Sequence, residues 1–251
     1  MNLRGGIVFA LALAVIIAGP SIARAQNPPT GAIWDLATVN SDFYQSNPLT
    51  TYTQFTTSFT ADLTGTEYVS FAFRETPAYF AFDDATVYLS TDVTQTNLLT
   101  DPNFASATDG QNCNHNNSLG CPPGWDAWIQ PVDTSAIGQV ATTGSPYGCN
   151  MGANTGTTFW CDGSVQGYDA VYQPVSVVAG QVYDISFFLQ DDSGSAITES
   201  NPSDQIDALV YAGNTIPGGT VSLGTPEPVT FALAGLGLAI LGISRRRRRA
   251  S

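Results

Sequence analysis

The sequence has no lysine, one histidine (His115) and, between its two ends, a single cationic side chain, Arg74. Nucleic-acid affinity rests on neutralising phosphates with Lys and Arg, so a nucleic-acid partner is excluded, and an anionic membrane surface is repelled for the same reason. One histidine and no C-x2-4-C pair leave too few nitrogen and sulfur ligands for a zinc site. Neither a G-x-S-x-G elbow nor an H-E-x-x-H helix is present, so hydrolytic chemistry of those kinds is not expected. A glycosidase needs only two carboxylates, and acidic pairs such as Asp191-Asp192 exist, but no glycosidase pattern surrounds them. They read as solvated loop acids, and the chain reads as a non-enzyme. Sustained helical periodicity is also missing outside the two termini.

Acid is abundant. Of the 21 acidic residues all but Glu227 fall within residues 26–225, whereas seven of the eight arginines sit in the two ends. The body is therefore strongly anionic, which suits a soluble surface domain or one that collects cations. Its roughly 200 residues are enough for one large or two small domains.

The N-terminal end has Arg4, an apolar run over 7–18, a Gly19-Pro20 break and Ala23-Arg24-Ala25. Those are the three parts of a secretory signal, with cleavage expected after Ala25 and residues 1–25 removed. An uncleaved anchor is the alternative, against which the run is short. At the other end, residues 229–243 form an apolar run of 15 residues. As a helix it would span about 22 Å, short of a hydrocarbon core of about 30 Å. Arg245, Arg246, Arg247, Arg248 and Arg249 follow at once; in the membrane centre each costs about 2.5–3.5 kcal/mol, so they act as a cytoplasmic stop. Ahead of the run, Pro226 and Pro228 flank Glu227 and impose a stiff, extended segment.

This tail resembles the PEP-CTERM sorting signal of Gram-negative bacteria. The match covers 225–251 and contains Pro226-Glu227-Pro228, the apolar span and the arginine cluster in order; Thr225 stands where valine is usual. The resemblance implies recognition by an exosortase-type transpeptidase, transient inner-membrane anchoring, and delivery to the cell envelope or to an extracellular biofilm matrix with its exopolysaccharide. A permanent anchor without processing is the alternative.

Between the ends, alternation of period two dominates. Phe55, Thr57, Phe59 and Ala61 share a side, as do Val69, Phe71 and Phe73, then Ala85, Val87 and Leu89, then Tyr183, Ile185, Phe187 and Leu189; "DALVYAGN" adds a shorter strand. Segments rich in Thr, Val, Tyr and Phe and broken by Gly, Pro, Asn and Asp form antiparallel strands with one buried face. The fold class is all-β, a two-sheet antiparallel β-sandwich. Cys113, Cys121, Cys149 and Cys161 allow three pairings in an oxidising compartment, and their spacing favours two local disulfides, Cys113–Cys121 and Cys149–Cys161.

"NLLTDPNF…GWDAW" followed by "GYDAVYQPVSVVAGQVYDISFFLQ" resembles the first half of a galactose-binding-like jelly roll, found in many carbohydrate-binding modules. "TYTQFTTSFTADLTGTEYVSFAFRETPAYFAFDDATVYLST" is similar to its second half, yet comes first in the chain. Either 26–224 is one jelly roll, circularly permuted and joined through "STDVTQTNLL", or 30–95 and 97–224 are separate domains. A half would leave its apolar face open, which favours the single permuted domain. The resemblance also implies a structural Ca²⁺ near Asp83 and Asp84, although Ala105 stands where the family has a second acid. Trp125, Trp128, Trp160 and Tyr168 are candidate sugar-stacking aromatics. The family places Gly124-Trp125 in the core, and Trp160 is expected to cover the adjacent cystine, which leaves Trp128 as the exposed ligand-binding candidate. The expected function is an exported, non-enzymatic envelope or matrix protein contacting exopolysaccharide. A purely structural matrix protein is one alternative and a polysaccharide-acting enzyme another.

Overall fold

A computed structural model describes residues 27–39, 49–75, 78–113, 120–130, 138–145, 149–164, 167–192 and 206–217. The signal (1–25) and the tail (225–251) lie outside the described residues, and with them Ala23, Ala25, Pro226 to Pro228 and Arg245 to Arg249. Among the described residues no helix is long and apolar enough to cross a membrane.

Among the described residues two five-stranded antiparallel sheets make up the architecture. In chain order the elements are β1 (Trp34–Asp35), the four-residue helix α1 (Leu36–Val39), β2 (Thr53–Thr60), β3 (Gly65–Glu75), β4 (Phe80–Leu89), β5 (Asp126–Ile129), β6 (Gln139–Thr142), β7 (Thr158–Asp162), β8 (Asp169–Val177), β9 (Val182–Asp191) and β10 (Ile206–Gly213). The first sheet runs β1-β10-β3-β8-β5 and the second β2-β9-β4-β7-β6. The early strands do not form a sheet of their own: β3 lies between β10 and β8, and β9 lies between β2 and β4. One hydrophobic cluster draws on both segments, from Trp34 through Phe187 to Val210.

The core is built from the alternation read in the sequence. Phe71 and Phe73 of β3 meet Phe82 of β4 with ring centroids 4.7 and 5.4 Å apart, and Phe71 meets Phe187 of β9 at 5.4 Å. Burying each such ring stabilises the fold by roughly 1.5–3 kcal/mol, with a smaller gain from edge-to-face geometry. On β4, Phe80 and Phe82 face inward, and so do Ala85, Val87 and Leu89, a change from even to odd positions. A one-residue bulge between Asp83 and Thr86 makes the switch, with Asp84 at φ 50° in the left-handed region that Asp tolerates better than most side chains.

The joint between β4 and the downstream segment is a short, internally bonded turn. Asp92 accepts from the amides of Thr94 and Thr96 and from the Thr94 hydroxyl, which holds its carboxyl well below the usual range. Asn97 then bonds Val87 N–H and Ala85 C=O as a strand neighbour would. Gln173 of β8 bonds both the N–H and the C=O of Thr100. Gly124 passes beside this junction at φ 81°, where a Cβ would come within 2.6 Å of Thr100 Cβ, so no larger residue fits.

Candidate functional site

The outward face of the first sheet collects a group of aromatic side chains not used in the main core. Strand alternation places Tyr68, Ser70, Ala72 and Arg74 of β3 on it, with Ala170 and Tyr172 of β8, Leu209 and Tyr211 of β10, and Asp126 and Trp128 of β5. One half of the face is covered. Gln130 Nε2 donates to Asn27 C=O (3.1 Å) and the Tyr211 hydroxyl to Pro29 C=O (2.8 Å), so the segment entering the domain lies along it. Trp128 sits in this covered half, against Tyr211 (6.1 Å) and in one cluster with Tyr168, Ala170 and Leu209. It is 2 % exposed. The expectation of an exposed Trp128 platform is thus corrected: cover from a segment distant in sequence turned a surface indole into a packed one.

Among the described residues the other half is only partly covered. Tyr68 and Tyr172 are half-buried and meet edge-to-face at 5.8 Å; the Tyr172 hydroxyl donates to Asp126 Oδ2 (3.0 Å), and Asp126 is exposed. Partial burial, and then the Asp126 carboxylate, push the Tyr172 phenol up. Two rings beside an exposed carboxylate offer apolar contact to a sugar face and an acceptor to its hydroxyls. Sequence reasoning passed over these two tyrosines because they sit within strands. Their register, Tyr68 opposite Pro174 and Tyr172 opposite Ser70, is what brings them together.

The remaining aromatics are structural. Trp125 stacks on Phe104 at 5.1 Å and donates to Asp101 C=O. Trp160 is fully buried in the core with Nε1–H on Asp162 Oδ2 (3.0 Å). It faces inward while Cys161 faces outward, so it does not cover the cystine; adjacent strand residues point to opposite faces. Tyr168 is 3 % exposed, donates to Asp207 (2.6 Å) and lies under the Arg74 guanidinium at 5.8 Å.

Both local disulfides are formed, Cys113–Cys121 and Cys149–Cys161. The second pins the 149–156 loop over the outward face of the second sheet, where Cys149, Met151 and Phe159 pack with Ala81 and Ala141. Asp83 and Asp84 brace the same loop. Asp83 Oδ1 accepts from Asp84 N–H, and its Oδ2 from Asn154 and Thr155 N–H. Asp84 takes the Asn154 side-chain amide on Oδ2 and the Thr155 hydroxyl on Oδ1. All four oxygens thus serve donors of the chain, which accounts for the position of this pair without an ion. Burial, then the Asp84 charge, raise the Asp83 carboxyl to about 7 although three backbone amides pull the other way.

A different group of acids has the geometry of an ion site. Glu75 ends β3 of the first sheet, Asp191 ends β9 of the second, both face inward at one end of the sandwich, and Asp192 follows. Oxygens of the three lie within 4.8 Å of one another. Glu75 is completely buried and Asp191 1 % exposed. Burial, then the Asp191 carboxyl, with Asp192 and Asp162 beyond, push the Glu75 carboxyl well above its usual range. Asp192 is raised by burial and by Asp191, against the pull of the Tyr79 N–H at 2.8 Å.

Set against family models, curated proteins and solved structures, the chain matches none.

Proposed function

We propose that this chain is an exported, non-enzymatic protein of the cell envelope or extracellular matrix, sorted through its C-terminus by an exosortase-type transpeptidase. The carrying observation is the ordered tail: Pro226-Glu227-Pro228, a 15-residue apolar run, and five arginines at the far side of it. The charge distribution supports the same orientation, with an anionic body outside and the cationic stub inside. The test is the C-terminal mass of the mature protein in cells with and without the transpeptidase. Loss of the residues after the Pro-Glu-Pro segment is expected in the first and retention in the second; a mature extracellular form still carrying its arginines refutes the reading.

The sandwich is read as a jelly roll whose second-half pattern, 51–91, precedes its first half. What supports this is the interleaving of β2, β3 and β4 with β8 and β9 in both sheets. Within that frame, exopolysaccharide contact is assigned to Tyr68, Tyr172 and Asp126 rather than to Trp128. Tyr172→Ala should weaken retention on the native polysaccharide about tenfold, equivalent to about 1.4 kcal/mol. Equal retention of both forms moves the contact elsewhere. No retention of either leaves the structural matrix role.

A further inference from the structure

The acids at the end of the sandwich belong neither to the sorting tail nor to the tyrosine face. Among the described residues neither oxygen of Glu75 meets a hydrogen-bond donor, although the residue is completely buried. The side chain it faces is the carboxyl of Asp191, another acceptor. Two buried carboxylates in that relation repel unless a positive charge lies between them.

The chain has little to supply it. There is no lysine, and Arg74, the single cationic side chain of the body, is the next residue along β3. Strand alternation sends Arg74 to the outward face, where its guanidinium lies over Tyr168. Among the described residues no cationic group acts on Glu75, so the neutralising charge is a proton or a metal cation. Donors made only of carboxylate oxygen suit a hard cation and not zinc or copper. Mg²⁺ keeps several waters, for which so buried a position has little room, whereas Ca²⁺ takes six to eight oxygens and accepts bidentate carboxylates.

We propose that Glu75, Asp191 and Asp192 bind one Ca²⁺, which ties the end of β3 in the first sheet to the end of β9 in the second. Asp192 also accepts from the Tyr79 and Asn150 amides, and a carboxylate oxygen that accepts one N–H keeps a lone pair for an ion. Asp162, whose Oδ2 accepts from Trp160, is an outer carboxylate of the same negative field. The ion does not depend on where the protein is delivered, and it makes stability at this end a function of calcium.

The experiment compares thermal unfolding and bound-metal content of the purified full chain after chelation and after addition of Ca²⁺ or Mg²⁺. One Ca²⁺ per chain is expected, with a midpoint raised by about 5–10 °C at a hundredfold excess over Kd and a much smaller response to Mg²⁺. Glu75→Gln keeps the shape of the side chain and removes a charge. It should fold, melt at or above the chelated wild type, and lose the calcium shift; Asp191→Asn should lose it too. Asp83→Asn should keep the shift, which separates this site from the other acid pair. Coincident wild-type melts with and without calcium overturn the proposal in favour of a shared proton. A full calcium shift in Glu75→Gln overturns it in favour of diffuse binding to surface acids.

Discussion

Asp83-Asp84 and Asp191-Asp192 look alike in the sequence, each an Asp pair behind an aromatic strand segment. The fold gives them opposite surroundings. The first pair stands at a bulge, opposite a disulfide-pinned loop that offers it amide and hydroxyl donors. In the second, Asp191 stands opposite a carboxylate that meets no donor among the described residues. What an acid does here is set by the segment that folds over it. That segment lies about seventy residues away for Asp83 and more than a hundred for Asp191.

A third buried acid sharpens the contrast and carries the largest expected effect. Asp207 is buried beneath Tyr168, and burial raises its carboxyl to about 7; the Tyr168 hydroxyl and the Ala37 amide oppose the rise, and Asp35 adds to it. In the unfolded chain the group titrates near about 3.9. Between those values the folded protein holds a proton that the unfolded chain has released. Stability therefore falls as pH rises from about 4 to about 7 and is level above, by on the order of 4 kcal/mol from this group. Urea unfolding at several pH values should show that slope, reduced in Asp207→Asn; an unchanged slope in the variant removes Asp207 as its source.

Asp83→Ala comes next, with an expected loss of about 3 kcal/mol, because it removes the buried acceptor of three backbone amides, those of Asp84, Asn154 and Thr155. Glu75→Gln, with calcium chelated, should instead be neutral or stabilising. If both variants destabilise alike, the distinction between the pairs fails. Replacing Cys149 and Cys161 together by alanine should cost about 2–3 kcal/mol for a loop of this length. Combined with Asp83→Ala it should cost less than the sum, since both hold the 149–156 loop; strict additivity would show that they act separately.

The buried faces of β2, β3, the second part of β4 and β9 were legible in the sequence, because a strand with one buried face writes a period of two into its side chains. Both cystines were legible too, from short spacing in a loop-rich stretch. Trp128 was not: no local pattern announces that residues 27–29 will lie over it. Trp160 stands beside a cysteine in the sequence, yet its strand points it into the core.

The sequence by itself determined that this protein is built of antiparallel strands, that its cysteines pair locally, and that its charge is divided between an anionic body and cationic ends. These follow from properties carried by neighbouring residues: alternation, spacing and composition. Tertiary structure alone decided that one residue at Asp84 switches β4 from even to odd positions inward, that Tyr68 and Tyr172 share a partly covered face, and that Glu75 meets Asp191. Each depends on which distant strand lies alongside, and that is chosen by the collective burial of the aromatic core rather than by any local signal.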